Sequence, residues 1–241
     1  MLEKSSLDQH NNNVIGKKSH MLFASLVATL LAMIIVPMPA WLLDIFLTAN
    51  VMIAIAILPA SFFISKRLKP ASFPTILVIF TLFRLALNIS TTRLILTQGY
   101  AGEVVSAFGS FAVGEKYVGS GVGFLFFTIL VFIIIIWLAK HVSKIVAHST
   151  LDSKAGKFYD SMNNAMKFIK GDAIACMIII LINIVAGFMI GIVQRGLDFE
   201  SALRLYSLLT IGAGVAQQIP ALIVAVSASI VVTRSARQKI S

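Results

Sequence analysis

Residues 73–96, FPTILVIFTLFRLALNISTTRLIL, hold only two charges, Arg84 and Arg93, in an otherwise apolar run. An α-helix needs about 20 such residues to cross roughly 30 Å of hydrocarbon, so the segment reads as a membrane span. Arg84 falls near its centre, where a guanidinium costs at least about 2.5–3.5 kcal/mol on insertion scales. At about 100° per residue Thr81, Arg84, Asn88 and Thr91 form one stripe, while Ile79, Leu82, Ile89 and Arg93 point elsewhere. The helix therefore has one polar face, which must look at protein or water. Two readings of Arg84 stand side by side: a wet pathway or buried ion pair, and a packing anchor satisfied by backbone carbonyls.

Outward from this span, the rest of the chain has the same character. It has 241 residues, 58% hydrophobic and 12% charged, with a mean hydropathy of +0.93. A soluble domain carries about 25% charged residues, so the expected class is an all-α membrane protein. Five further apolar stretches, near 21–37, 40–64, 117–139, 173–194 and 207–233, bring the expected transmembrane helices to about six. Pro37-Met38-Pro39 cannot continue a helix and turns the first span into the second. Lys17 and Lys18 before the first span look like a signal-peptide start, but a proline pair follows where a small-residue cleavage site would stand, so an uncleaved helix is expected.

The net charge of +10 would suggest nucleic acid in a soluble protein, yet no solvated basic domain exists here to bind it. The positive charge instead orients the chain. The N-terminus, the second and fourth connections and the C-terminus hold 15 Lys and Arg, and the alternate connections hold 3. Cytoplasmic connections are the Lys/Arg-rich ones, which places both termini inside. The expected organisation is a polar cytoplasmic N-terminus over 1–20 and a transmembrane domain over 21–234. A basic cytoplasmic loop interrupts that domain at 140–171, and a short basic tail follows over 235–241.

Other candidates need weighing against structural roles. Asp44, about four residues into the second span, either caps an interfacial group or acts as a carboxylate that pairs or carries a proton. Arg93, near the outer end of its helix, fits snorkelling. Lys167 and Asp172 open the fifth span, and an acid at a helix N-terminus suits the macrodipole; binding a proton at the mouth of a polar pathway is the alternative for Asp172. Gly119 with Gly123, and Gly187 with Gly191, are GxxxG pairs suited to close helix packing. Gly212, Gly214, Gln217, Gln218 and Pro220 suggest a broken helix lining a cavity. Cys176 is the lone cysteine, and four scattered histidines form no metal constellation. With no nucleotide loop and no nucleophile–base pair, neither an enzyme nor a cofactor nor a metal is expected.

Four segments together carry a resemblance. They are Phe73-Pro74-Thr75-Ile76-Leu77; Arg84-Leu85-Ala86-Leu87-Asn88 with Ser90-Thr91-Thr92-Arg93; Phe168-Ile169-Lys170-Gly171-Asp172-Ala173-Ile174-Ala175; and Leu209-Thr210-Ile211-Gly212 with Gln218-Ile219-Pro220-Ala221-Leu222. From about residue 21 to 234 the chain resembles the membrane export-gate (FHIPEP) family of flagellar and type III secretion systems. The resemblance implies a homo-oligomeric ring in the bacterial inner membrane that couples proton entry to protein export, beside other membrane proteins of the apparatus and the exported proteins. It places Asp44, Arg84, Arg93, Lys167 and Asp172 at charged positions of the family's membrane domain, with Asp172 as the proton-responsive acid.

Departures from the pattern bear on function. Where the family reads Thr-Ile-Gly-Asp-Gly, this chain has Thr210-Ile211-Gly212-Ala213-Gly214. Lys154-Ala155 replaces the family's Met-Pro, and Ser241 falls before the expected cytoplasmic domain. The leading expectation is a shortened export-gate homologue. Its rivals are an inactive remnant or assembly-only paralogue, and an ion or small-solute carrier, which would need a substrate site near the midplane.

Overall fold

Pro37 and Pro39 set the first corner, as the sequence requires. A computed structural model of the chain describes residues 21, 24–67, 72–113, 118–149 and 156–237. Helix α1 (Ala24–Ile35) stops before Pro37, and α2 (Ala40–Arg67) starts beyond Pro39, whose carbonyl accepts the first bonds from Leu42 and Leu43 N–H. Then come α3 (Ser72–Gln98), α4 (Glu103–Val113), α5 (Val118–Ser149), α6 (Gly156–Val193) and α7 (Phe199–Arg237). Every described regular element is an α-helix.

Among the described residues five helices, α2, α3, α5, α6 and α7, are long and apolar enough to cross a membrane. Six crossings were expected. The difference is the first span, of which 24–35 is the described helix and is short of crossing length. Helix α4 is likewise short and apolar, too brief to register as a span in a search for 20-residue runs. Large apolar side chains, including Trp41, Met52, Phe126, Trp137, Leu181 and Met189, point outward. An outer surface this apolar over several helices suits lipid, not water.

The expected basic loop at 140–171 is largely helical. Helix α5 runs through to Ser149 and α6 begins at Gly156, so the two form a long hairpin whose tip, 150–155, lies outside the described residues. Phe132, Ile135, Ala139, Val142 and Val146 are buried on α5; Tyr159, Met162, Met166, Ile169, Ala173, Cys176 and Ile180 are buried on α6. Both sets alternate steps of three and four, the spacing of a helix–helix seam. Charged residues on the outer face of 156–170 mask this seam from a hydropathy reading.

Helix α7 is the hub, packed against α2, α3, α4, α5 and α6. It is continuous through Pro220, in contrast to the expected break. A proline removes one N–H and crowds the preceding turn, but neighbouring groups can take up the freed carbonyls. Pro220 leaves the Ala216 carbonyl without its helical donor, and Arg84 donates to the adjacent carbonyl, that of Gln217.

Candidate functional site

Helix α3 turns its polar stripe inward. Thr81, Arg84, Asn88 and Thr91 are all buried, while Ile79, Leu82, Ile89 and Arg93 are only partly so. Thr81 and Thr91 return their hydroxyls to the carbonyls of Leu77 and Leu87, one turn back. That leaves Arg84 and Asn88, at i and i+4, to face α6.

Opposite them, also at i and i+4, stand Asp172 and Cys176. Arg84 Nη1 lies 2.9 Å from Asp172 Oδ2, with side-chain exposures of 1% and 3%. Arg84 Nη2 donates to the Gln217 carbonyl of α7 at 3.0 Å. Asn88 Nδ2 donates to Cys176 Sγ at 3.0 Å, and Cys176 Sγ in turn lies 4.0 Å from Asp172 Oδ1. The result is a four-residue rung between α3 and α6, tied to α7 through one backbone carbonyl. An isolated buried guanidinium would be prohibitive; a carboxylate and a carbonyl offset its desolvation.

The arrangement corrects the expected place of Asp172. It lies sixteen positions into α6, far from Gly156, so the helix dipole contributes nothing there. Its stabilisation comes from Arg84. The rung is also not fully saturated: Arg84 Nε and the Gln217 side-chain amide have no protein hydrogen-bond partner among the described residues. Beside it runs an open groove of about 380 Å³ between α3 and α6, bordered by Thr81, Leu85, Lys167, Gly171 and Asp172. Lys167 is exposed and lies outside the rung.

Asp44 and Arg93 belong elsewhere, at the end of the bundle where α1, α3 and α6 finish. Asp44 accepts from the N–H groups of Glu103 and Val104 at 2.9 and 3.0 Å, so it caps the N-terminus of α4 from another helix. Gly102, at φ +99°, admits that carboxylate: a Cβ there would collide with it. Arg93 is not a free snorkelling side chain. Its two terminal nitrogens donate to the carbonyls of Ile34 and Ile35 at 2.8 Å each, and Ser90 donates to the Met33 carbonyl at 2.9 Å. Pro37 and Pro39 end α1 there, leaving its last carbonyls without helical partners. Arg195 repeats the device on α3, donating to Thr97 and Gln98 at 2.9 Å.

Gly187 and Gly191 make room for the ring of Tyr206 on α7. Gly119 and Gly123 fall in the first turns of α5, and their surroundings lie outside the described residues. The sequence reading missed Cys176 and the Gln217 carbonyl as members of the rung. The i, i+4 spacing of Asp172 and Cys176, matching that of Arg84 and Asn88, was the available signal.

Comparison with known proteins bears on the whole of this bundle. Residues 30–157 and 153–241 match the FHIPEP family. The chain is 38% identical to the low calcium response locus protein D of Yersinia pestis, over 92% of this chain and 36% of that protein. It is 37% identical to the invasion protein InvA of Salmonella typhimurium, over 90% and 36%, and 38% identical to the flagellar biosynthesis protein FlhA of Bacillus subtilis, over 88% and 36%. The chain thus spans about a third of the length of the curated relatives it matches. No solved structure matches it.

Proposed function

The chain belongs to the FHIPEP family, and from that premise we propose that it is a multi-pass inner-membrane subunit of a bacterial flagellar or type III protein-export apparatus. The Arg84–Asp172 pair is the observation that carries the mechanistic part. In this reading a proton arrives along the groove beside Lys167 and Gly171 and neutralises Asp172. The pair then loses its Coulomb attraction, and the buried guanidinium needs new partners. The unsaturated Arg84 Nε and Gln217 amide supply places for water or a rearranged side chain. Because the same guanidinium holds the α7 turn before Pro220, its release alters how α3, α6 and α7 pack. Protonation at one residue thereby becomes a helix movement available to export.

The 15 to 3 distribution of Lys and Arg supports an orientation with both termini in the cytoplasm. Partners in this reading are further copies of the chain in a ring, other membrane proteins of the apparatus and the exported proteins. Ala213 favours a second reading, an assembly-only paralogue. It is a buried methyl group where the resemblance calls for a carboxylate, so this chain has one acid fewer along α7.

Secretion in a strain lacking an intact paralogue separates these readings. Deleting the chain and substituting Asp172→Asn are expected to lower secretion alike. A deletion defect that Asp172→Asn leaves fully rescued selects the assembly reading. Unchanged secretion after deletion removes both.

A further inference from the structure

We propose that the groove between α5 and α6 is a binding site for the phosphate headgroup of an anionic phospholipid. The groove measures about 320 Å³ and is lined by Ala139, Lys140, Ser143, Lys144, Met166, Lys167 and Lys170. Four lysines therefore line it from two helices, at i and i+4 on α5 and at i and i+3 on α6, and among the described residues no carboxylate lines the space. Four like charges at one cleft repel one another, and a phosphate diester offers the compensating charge.

Its depth suits a headgroup. Trp137 is 62% exposed on α5, one turn before Lys140, and its ring stacks on His141 at 5.4 Å. Exposed tryptophans collect at the level of lipid headgroups. On the side toward the bilayer centre α5 presents Ile133, Ile134 and Leu130 outward, so the cleft opens where the apolar face ends. Basic clefts between membrane helices at that level suit anionic headgroups. Ser143 bridges the two helices through Asn163, which fixes the spacing of the lysine rows.

Trp137 supplies the test, which is independent of any export activity. The Trp41→Phe chain retains it as the single tryptophan. This chain is reconstituted in phosphatidylcholine vesicles containing either brominated phosphatidylglycerol or brominated phosphatidylcholine at equal mole fraction. The expected result is a local enrichment of the anionic lipid of roughly fivefold or more, the factor that even one lysine's attraction to a headgroup supplies. The preference should vanish in the Lys140→Gln, Lys144→Gln, Lys170→Gln chain and persist when the same three are changed to Arg. Equal quenching by the two lipids overturns the proposal in the parent chain itself, whatever the variants do. Loss of the preference on adding soluble glycerol phosphate also overturns it, because the cleft would then be a site for free phosphate.

Discussion

Arg84 and Asp172 meet at 2.9 Å in the middle of the bundle, although one belongs to α3 and the other to α6, with both side chains almost wholly excluded from the surface. Neither charge is tolerable there alone. Replacing only Arg84 by Met, or only Asp172 by Leu, should destabilise the fold by about 3–5 kcal/mol, because a buried charge is left unpaired. The double replacement should recover most of that loss. A double-mutant cycle on detergent-solubilised protein, read by unfolding with an ionic denaturing detergent, measures the coupling. Additive single effects would deny it.

Arg93 holds α1 to α3 through two carbonyls at the end of α1. Arg93→Ala should fray that end and raise amide exchange at Ile35 and Val36 about tenfold, equivalent to about 1.4 kcal/mol. Arg93→Lys should fall between, since one ammonium cannot serve both carbonyls with the geometry of a guanidinium.

Much of this was legible beforehand. The cost of a mid-span arginine, combined with a 3.6-residue period, located the polar stripe of α3, and the fold buries all four of its members. The partner was not legible, for a physical reason. Lys157, Asp160, Lys167 and Lys170 depress the hydropathy of 156–170, so the start of α6 read as a loop and Asp172 as a helix terminus. The alternation of three and four from Tyr159 to Ile180 was the overlooked sign of a continuous helix. Pro220 misled in the opposite direction, because α7 stays continuous through it while packed against five other helices. Arg93 read as snorkelling because its acceptors exist only once α1 has ended beside it. Helix α4 escaped notice because it is shorter than a span.

Gly102 is the position least able to accept a side chain at the Asp44 cap. At φ +99°, with the carboxylate where a Cβ would stand, Gly102→Ala should cost more than the roughly 0.5–2 kcal/mol lost on removing the cap by Asp44→Ala. Comparing thermal unfolding of the two variants checks the order. Equal stability of Gly102→Ala and the parent chain would show that the cap is not formed as described.

Asp198 precedes α7 and caps it, accepting from the Ser201 N–H at 3.1 Å. Hydrogen bonding from Ser201, first through its side chain and then through its backbone, holds the carboxyl below its ordinary value of 3.8. A depressed folded-state pKa stabilises the cap above the unfolded value, and that contribution is lost as pH falls through the folded one. Exchange protection at the Ser201 amide should therefore be constant above about pH 5 and decline in the acid range below the ordinary carboxylate value. Asp198→Asn should flatten this dependence. A profile unchanged by that substitution would assign the acid sensitivity to another group.

Short-span crosslinking tests the central geometry most directly. In native membranes and on a Cys176→Ser background, the Arg84→Cys, Asp172→Cys chain is treated with a short bifunctional thiol reagent. The Ile89→Cys, Asp172→Cys chain serves as the control. Crosslinking that is efficient in the first and weak in the second is the predicted result, because Arg84 faces α6 and Ile89 does not. Equal crosslinking in the two, or none in the first, would contradict the buried pair.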